Sequence, residues 1–288
     1  MQPSAHTLDP HRWQALTVVC VAFFMTVLDV SIVNVALPSI KTSLHVSESN
    51  LQWVLIAYTI TFGGLLLLGG RTADLLGRRR MFMIGTALFA AASLACGLAG
   101  SIGVLVAARA VQGIGAAIIS PATLSIIMTT FEEGSERNKA LGIWGAMGGS
   151  GAAAGVLFGG ILTKYAGWEW VFFVNVPVAV LVLAVTRAVV RESRITGIRA
   201  REAGLASGLI NTSQQIGGAL GVAIAATVAF THTNTLLHAG HNPAAAQTGG
   251  FAFGFWVIAG FGAAAVLATL ALVRSSEVAL DVETAEAF

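Results

Sequence analysis

The sequence predicts an all-α integral membrane protein of eight transmembrane helices, and three observations carry that expectation. Of the 288 residues, 56% are hydrophobic and only 10% charged, against roughly a quarter charged in soluble domains, which excludes an ordinary water-soluble enzyme. The charges are bunched, leaving eight apolar runs of about the 20 residues that a helix needs to cross a bilayer. Thirty-three glycines and two tyrosines suit close-packed helices rather than a membrane barrel, which would need alternating strands and aromatic girdles. The formal net charge of +2 is too small to indicate a partner, and no nucleic acid is expected. Cys20 and Cys96 both fall in apolar runs, so no disulfide framework is implied.

The runs lie at about 14–38, 51–70, 81–100, 103–128, 140–163, 171–190, 205–230 and 251–273. The first contains Asp29, is too long for a secretory leader and is followed by further spans rather than a soluble domain. Between the second and third, the short segment Gly70–Arg80 holds four arginines and Asp74. The fourth run contains Arg109. In the fifth, Gly151, Gly155 and Gly159 recur every four residues, with Gly145 and Gly149 as another such pair, so a neighbouring backbone can approach closely. The seventh repeats the device at Gly204/Gly208 and Gly217/Gly221. Beyond the eighth, Glu277, Asp281, Glu283 and Glu286 mark a solvated tail. Thirteen of the sixteen basic residues fall in the termini and alternate inter-run segments on one side, and only Lys41 and Lys164 on the other. The excess of Lys and Arg on cytoplasmic loops then sets both termini inside.

Asp29 and Arg109 are the two ionisable side chains well inside the spans, where a charge costs at least a few kcal/mol. With helix 1 ending near Pro38, Asp29 is nine residues, about 13 Å, below the outer face; Arg109 is six residues, about 9 Å, below it. They are placed to meet. Burial favours a protonated acid and a nearby guanidinium favours the carboxylate, so a change in their separation would change proton occupancy, which is the physics of a proton-coupled carrier. The competing reading has Arg109 reaching outward to the interface and Asp29 bonding a neighbouring helix. Asn34, Gln52 and Gln112 are candidates for substrate lining, although each taken singly reads first as interhelical glue. His232, His238 and His241 have no regular element to fix them as ligands, so neither metal nor cofactor is expected. Gly113-Ile-Gly115 lies inside a helix and follows no strand, which removes a dinucleotide loop. The spans hold no nucleophile–base pair, so an intramembrane enzyme is not expected.

The order Gly70-Arg-Thr-Ala-Asp74-Leu-Leu-Gly77-Arg78-Arg79-Arg80 resembles the signature loop between helices 2 and 3 of the major facilitator superfamily. Leu28-Asp29-Val-Ser-Ile-Val-Asn34-Val-Ala-Leu-Pro38 is similar to the first-helix motif of its fourteen-helix drug:proton antiporters. Arg109-Ala-Val-Gln112-Gly113-Ile-Gly115-Ala116 resembles their fourth-helix motif, whose arginine is implicated in proton transfer. Gly151 to Gly160 resembles the fifth-helix antiporter motif, with Val156 where the family has proline, and Trp168 to Pro177 its approach to helix 6. The resemblance implies a six-helix major-facilitator half over 1–194, Asp29 and Arg109 as proton-coupling residues, and Gly70, Arg71, Asp74, Gly77, Arg78 and Arg79 as a cytoplasmic gating loop. It also implies helix packing through Gly151, Gly155, Gly159 and Gly160.

After Arg194 the segment Glu202 to Gly221 looks like the family's penultimate helix and the last run like its final one. Residues 195–288 are therefore expected as a two-helix C-terminal remnant with a short cytoplasmic tail, joined to the first half near 192–200 with four to six central helices missing. The implied activity is proton-coupled export of small amphipathic compounds across the plasma membrane. The alternative is a shortened membrane protein that does not transport, or that partners a full-length carrier. A homodimer would restore the missing wall of the substrate site, with the glycine faces of the fifth and seventh helices as its surfaces.

Overall fold

The computed structural model describes residues 10–193 and, beyond them, 217, 221, 224, 227–240 and 242–272. The chain divides into two compact units, Met1–Ser213 and Gln214–Phe288. In the first, the helices are α1 (Arg12–Leu44), α2 (Glu48–Leu76), α3 (Arg78–Gly97), α4 (Ile102–Thr130), α5 (Ser135–Tyr165), the short α6 (Trp170–Phe173) and α7 (Asn175–Val189). Taking α6 and α7 as one segment, six are long and apolar enough to cross a membrane. They coincide with the first six expected runs. The seventh run lies mostly outside the described residues, as do Arg194 and Gly204/Gly208. The eighth falls on α9 (Pro243–Leu272), whose apolar stretch Ala245–Phe261 is shorter than the six.

Local chemistry sets the boundaries. Ser47 and Ser101 cap α2 and α4, their hydroxyls accepting from the amides of Asn50 and Val104. Gly77, at φ 109°, is the whole connection between α2 and α3, a conformation that side chains with a Cβ avoid. Helix 1 does not end at Pro38: the proline sits inside α1, which runs on to Leu44. A membrane helix absorbs the lost backbone bond, and the end of α1 is consequently no measure of the depth of Asp29. Pro177 acts differently. It cannot donate to Phe173, and the segment breaks at Val174, leaving Asn175 as the first residue of α7.

Glycine brings three helix pairs into close approach. On α5, a Cβ at Gly155 would lie 2.6 Å from Ser31 Cβ and 2.8 Å from Leu28 O, and one at Gly159 3.0 Å from Val35 Cβ. A Cβ at Gly115 of α4 would lie 2.8 Å from Phe89 N on α3, and one at Gly69 of α2 would strike Ala117 O of α4. Helix α1 therefore lies on α5, while α4 is held by α2 and α3.

The core between these helices is split. One cluster includes Met25, Tyr58, Phe82, Phe89, Ala116 and Ala179; the other includes Leu28, Val54, Cys96, Ala108 and Phe172. The change from one to the other falls between 25 and 28 on α1, 54 and 58 on α2, 89 and 96 on α3, and 108 and 116 on α4. A layer of buried polar side chains lies at that level.

In the second unit, α8 (described over 227–238) turns at Gly240, φ 86°, into α9. His232 stacks on Phe253, ring centroids 4.6 Å apart, and His238 Nδ1 bonds Asn234 O at 2.7 Å. His241 lies outside the described residues.

Candidate functional site

The polar layer is built around Asp29, which is 0% exposed, and Arg109, 1% exposed. Arg109 Nη1 donates to Asp29 Oδ2 at 2.6 Å and to Gln112 Oε1 at 2.7 Å, while its Nε donates to the Val54 carbonyl at 3.1 Å. Gln112 Nε2 donates to Asp29 Oδ1 at 2.8 Å and to Ser93 Oγ at 3.1 Å. From α7, Asn175 Nδ2 donates to the same Asp29 Oδ1 at 2.8 Å and to Ser93 Oγ at 3.0 Å. The Ser93 hydroxyl donates to Phe172 O at 3.0 Å. The guanidinium lies 4.2 Å from the Tyr58 ring centroid and 5.9 Å from that of Phe172, in cation–π contact.

The six side chains arrive from five elements: Asp29 from α1, Tyr58 from α2, Ser93 from α3, Arg109 and Gln112 from α4, Asn175 from α7. Three donors and no acceptor converge on the carboxylate. The two charges are tolerated there only while paired and hydrogen-bonded, because an orphaned charge in this setting costs several kcal/mol. Displacing any one member therefore acts on five elements at once.

The arginine-rich turn is a second buried site. Arg78 Nη2 lies 3.1 Å from Asp74 Oδ1, which also accepts from Ser125 Oγ of α4 at 3.1 Å. The backbone amide of Arg78 donates to Ser193 O. Arg79 Nη1 donates to Val190 O at 3.3 Å and its Nε lies 3.6 Å from Glu192. Gly70 and Gly77 are buried, whereas Arg71 and Arg80 are exposed. At the same end Arg12 of α1 pairs with Glu136 of α5 at 3.0 Å.

The other sequence candidates are distributed as follows. Gly151, Gly155 and Gly159 face α1, while Gly160, Gly145 and Gly149 have open space where a Cβ would stand. Asn34 is exposed and donates to Val30 O of its own helix at 2.7 Å. Gln52 is exposed on α2. Gln112 is 0% exposed, committed to Asp29, Arg109 and Ser93, and does not line an open path. Ser93, Asn175 and Tyr58 are not among the candidates that the sequence singles out. The available signal was an uncharged polar residue within an apolar run, strongest at Asn175, just ahead of Pro177.

Six apolar helices closed around a buried acid–guanidinium cluster define a multi-pass membrane protein. The family model of the Major Facilitator Superfamily matches residues 19–279, and the chain belongs to that family of small-molecule transporters. It is 50% identical over 186 residues to the puromycin resistance protein pur8 of Streptomyces alboniger, covering 65% of this chain and 37% of that one. It is 44% identical over 180 residues to the cephamycin export protein CmcT of Amycolatopsis lactamdurans, covering 62% and 37%. The chain thus spans little more than a third of the length of these curated relatives. Among solved structures it is similar in fold, at TM-score 0.58 and 17% identity, to the proton:xylose symporter XylE bound to 6-bromo-6-deoxy-D-glucose, covering 75% of this chain and 56% of that one.

Proposed function

We propose that the protein acts in proton-coupled export of small amphipathic compounds across the plasma membrane. In this reading it has eight spans and cytoplasmic termini, residues 1–194 forming the six-helix half and 195–288 a two-helix segment with a short tail. The observation that carries the reading is the dry Asp29–Arg109 pair, 2.6 Å apart, because intramembrane ionisable groups mark ion pathways. A proton on Asp29 cancels its charge and releases Arg109, so proton uptake and the arrangement of five helical elements depend on each other. One charge crossing 100 mV gains about 2.3 kcal/mol, enough to bias such an equilibrium. The names of the relatives, puromycin resistance and cephamycin export, support the substrate class and direction.

Around this centre, Gly70, Arg71, Asp74, Gly77, Arg78 and Arg79 form the cytoplasmic gate, whose pairs break and re-form as the bundle rocks. The seam of Gly151, Gly155 and Gly159 carries α1 with α5, and exposed Asn34 and Gln52 line the substrate path. Alternating access needs a second bundle facing the first. Helices α2 and α5 are the least buried of the six spans, which supports them as the faces such a bundle covers, whether further residues of the protein or a second copy supply it.

Dye efflux from inverted vesicles tests the reading. An imposed proton gradient should drive efflux by the protein and not by Asp29→Asn. Equal efflux from both removes Asp29 from coupling.

A further inference from the structure

A neutral carboxyl group needs an acceptor for its O–H, and the cluster offers Asp29 donors alone: Arg109 Nη1, Gln112 Nε2 and Asn175 Nδ2. Leaving a buried donor unmet is costly, so one neighbour must supply an oxygen when the proton arrives. Arg109 has none. Gln112 has Oε1, but that atom already accepts from Arg109 at 2.7 Å and from Cys96 Sγ at 3.6 Å. Turning the Gln112 amide would set its NH2 against a guanidinium. Asn175 differs: its Nδ2 is engaged, while its Oδ1 is buried and bonded to nothing.

We infer that Asn175 is a positioning residue that responds to the proton on Asp29, its amide turning over so that Oδ1 accepts the Asp29 O–H. The inference rests on the proposed proton role of Asp29. With Asp29 charged, Nδ2 must face the carboxylate, as it does here, because an amide oxygen in its place would repel it. When a proton from water adds to Asp29 Oδ1, a half-turn about the Asn175 Cβ–Cγ bond exchanges the two amide atoms; this torsion is broad and roughly two-fold. The proton stays on Asp29, and the amide gains and loses none. The present 2.8 Å separation suits an O–H···O bond as well as N–H···O, so no backbone has to move.

The turn has a consequence for Ser93. Its hydroxyl now receives from Asn175 and donates to Phe172 O; opposite an amide oxygen it swings its hydrogen to Asn175. The bond between α3 and Phe172 is then given up; the turned Nδ2, standing where Oδ1 now has no partner, needs the freed Phe172 carbonyl as its acceptor, and protonation loosens α6 from α3. Among the described residues, the other ionisable groups at this site are Arg109 from α4, Tyr58 from α2 beneath the guanidinium, and Cys96 from α3 on Gln112. None of them offers Asp29 a free oxygen at bonding distance.

Infrared difference spectra between acid and neutral pH test this on the full chain in lipid nanodiscs, with 13C in the asparagine side-chain carbonyl. The expected acid-minus-neutral spectrum contains a carboxylic C=O band, absent in Asp29→Asn, and a labelled amide band moved to lower frequency as Asn175 Oδ1 gains a hydrogen bond. That amide shift should vanish in Asn175→Leu, which assigns it to Asn175, and also in Asp29→Asn, which ties it to the proton on Asp29. In Asn175→Leu the Asp29 band should rise in frequency, its O–H having lost its acceptor. A titrating Asp29 band with an unmoved amide band overturns the role of Asn175 while leaving Asp29 as the proton site. No Asp29 band at any pH overturns both.

Discussion

The Asp29–Arg109 and Asp74–Arg78 pairs are both dry ion pairs in the same six-span unit, and they are assembled in opposite ways. The second is local: four residues apart, it spans the Gly77 turn and reaches another helix through the Ser125 hydroxyl. Asp74 Oδ2 has no partner. The first joins residues 80 apart in sequence, and both carboxylate oxygens are bonded by donors from α4 and α7. A local pair forms with its helices and can be remade cheaply, which suits a gate. A pair assembled from five elements exists only when the bundle is closed around it, so its charge state reports on, and acts on, the packing of the whole unit.

That contrast predicts the largest effect. Arg109→Leu leaves Asp29 as an uncompensated buried charge, with an expected loss of about 3–5 kcal/mol. Arg78→Leu removes a partner from an acid near a helix end that already tolerates one unbonded oxygen, with an expected loss of about 1–3 kcal/mol. Thermal unfolding in detergent, followed by tryptophan fluorescence, measures both. Equal losses would mean that connectivity between elements contributes nothing, and the distinction between clamp and gate would fail.

The next effect sharpens the comparison by reaching the clamp through packing alone. A Cβ on Gly155 meets Leu28 O and Ser31, which bracket Asp29 on α1, so Gly155→Ala has to move α1 off α5 at the level of the carboxylate. The expected loss is about 1–3 kcal/mol, with proton-linked efflux reduced. Gly160→Ala, one residue past the last glycine of the seam and facing open space, should lose nothing and gain up to about 1 kcal/mol from alanine's helix propensity. The two alanines differ only in which face of α5 carries the methyl group. Helix propensity favours alanine over glycine, so a loss at Gly160 matching that at Gly155 would show that the close approach of α1 is not what the methyl group disturbs.

Much of this was legible before any coordinates. Charge spacing located the six spans because a bilayer crossing sets a minimum apolar length, and the lone acid and lone base in those spans pointed to each other. Depth arithmetic is less faithful: it ends helix 1 at Pro38, whereas α1 continues to Leu44, and hydropathy cannot see a proline that a membrane helix absorbs. For Gln112 the sequence leaves lining and interhelical bonding both open, and its buried bonds to Asp29, Arg109 and Ser93 fit the second; periodicity in a uniformly apolar helix does not reveal which neighbours a glutamine meets. Asn175 was passed over for the same reason; its importance comes from the break at Val174 and from Asp29, 146 residues away. Gly160 belongs to the motif but falls one residue off the every-four spacing of Gly151, Gly155 and Gly159, and so off their face.

The smallest effect isolates burial from distance. Lys41 Nζ lies 2.6 Å from Glu48 Oε1, the same separation as Arg109 from Asp29. The pair at the end of α1 is largely exposed, 41% for Lys41 and 79% for Glu48. Water screens such charges and competes for each of them, and the long lysine chain loses rotamer freedom in holding one geometry. Lys41→Gln should therefore leave the unfolding temperature unchanged within error, and any residual difference should disappear as salt shortens the screening length. Arg109→Leu should show no such salt dependence, since ions do not reach a 1% exposed guanidinium. If the exposed pair proved as costly to break as the buried one, short distance alone would account for both. The clamp would then owe nothing to the dry polar layer in which the five elements meet.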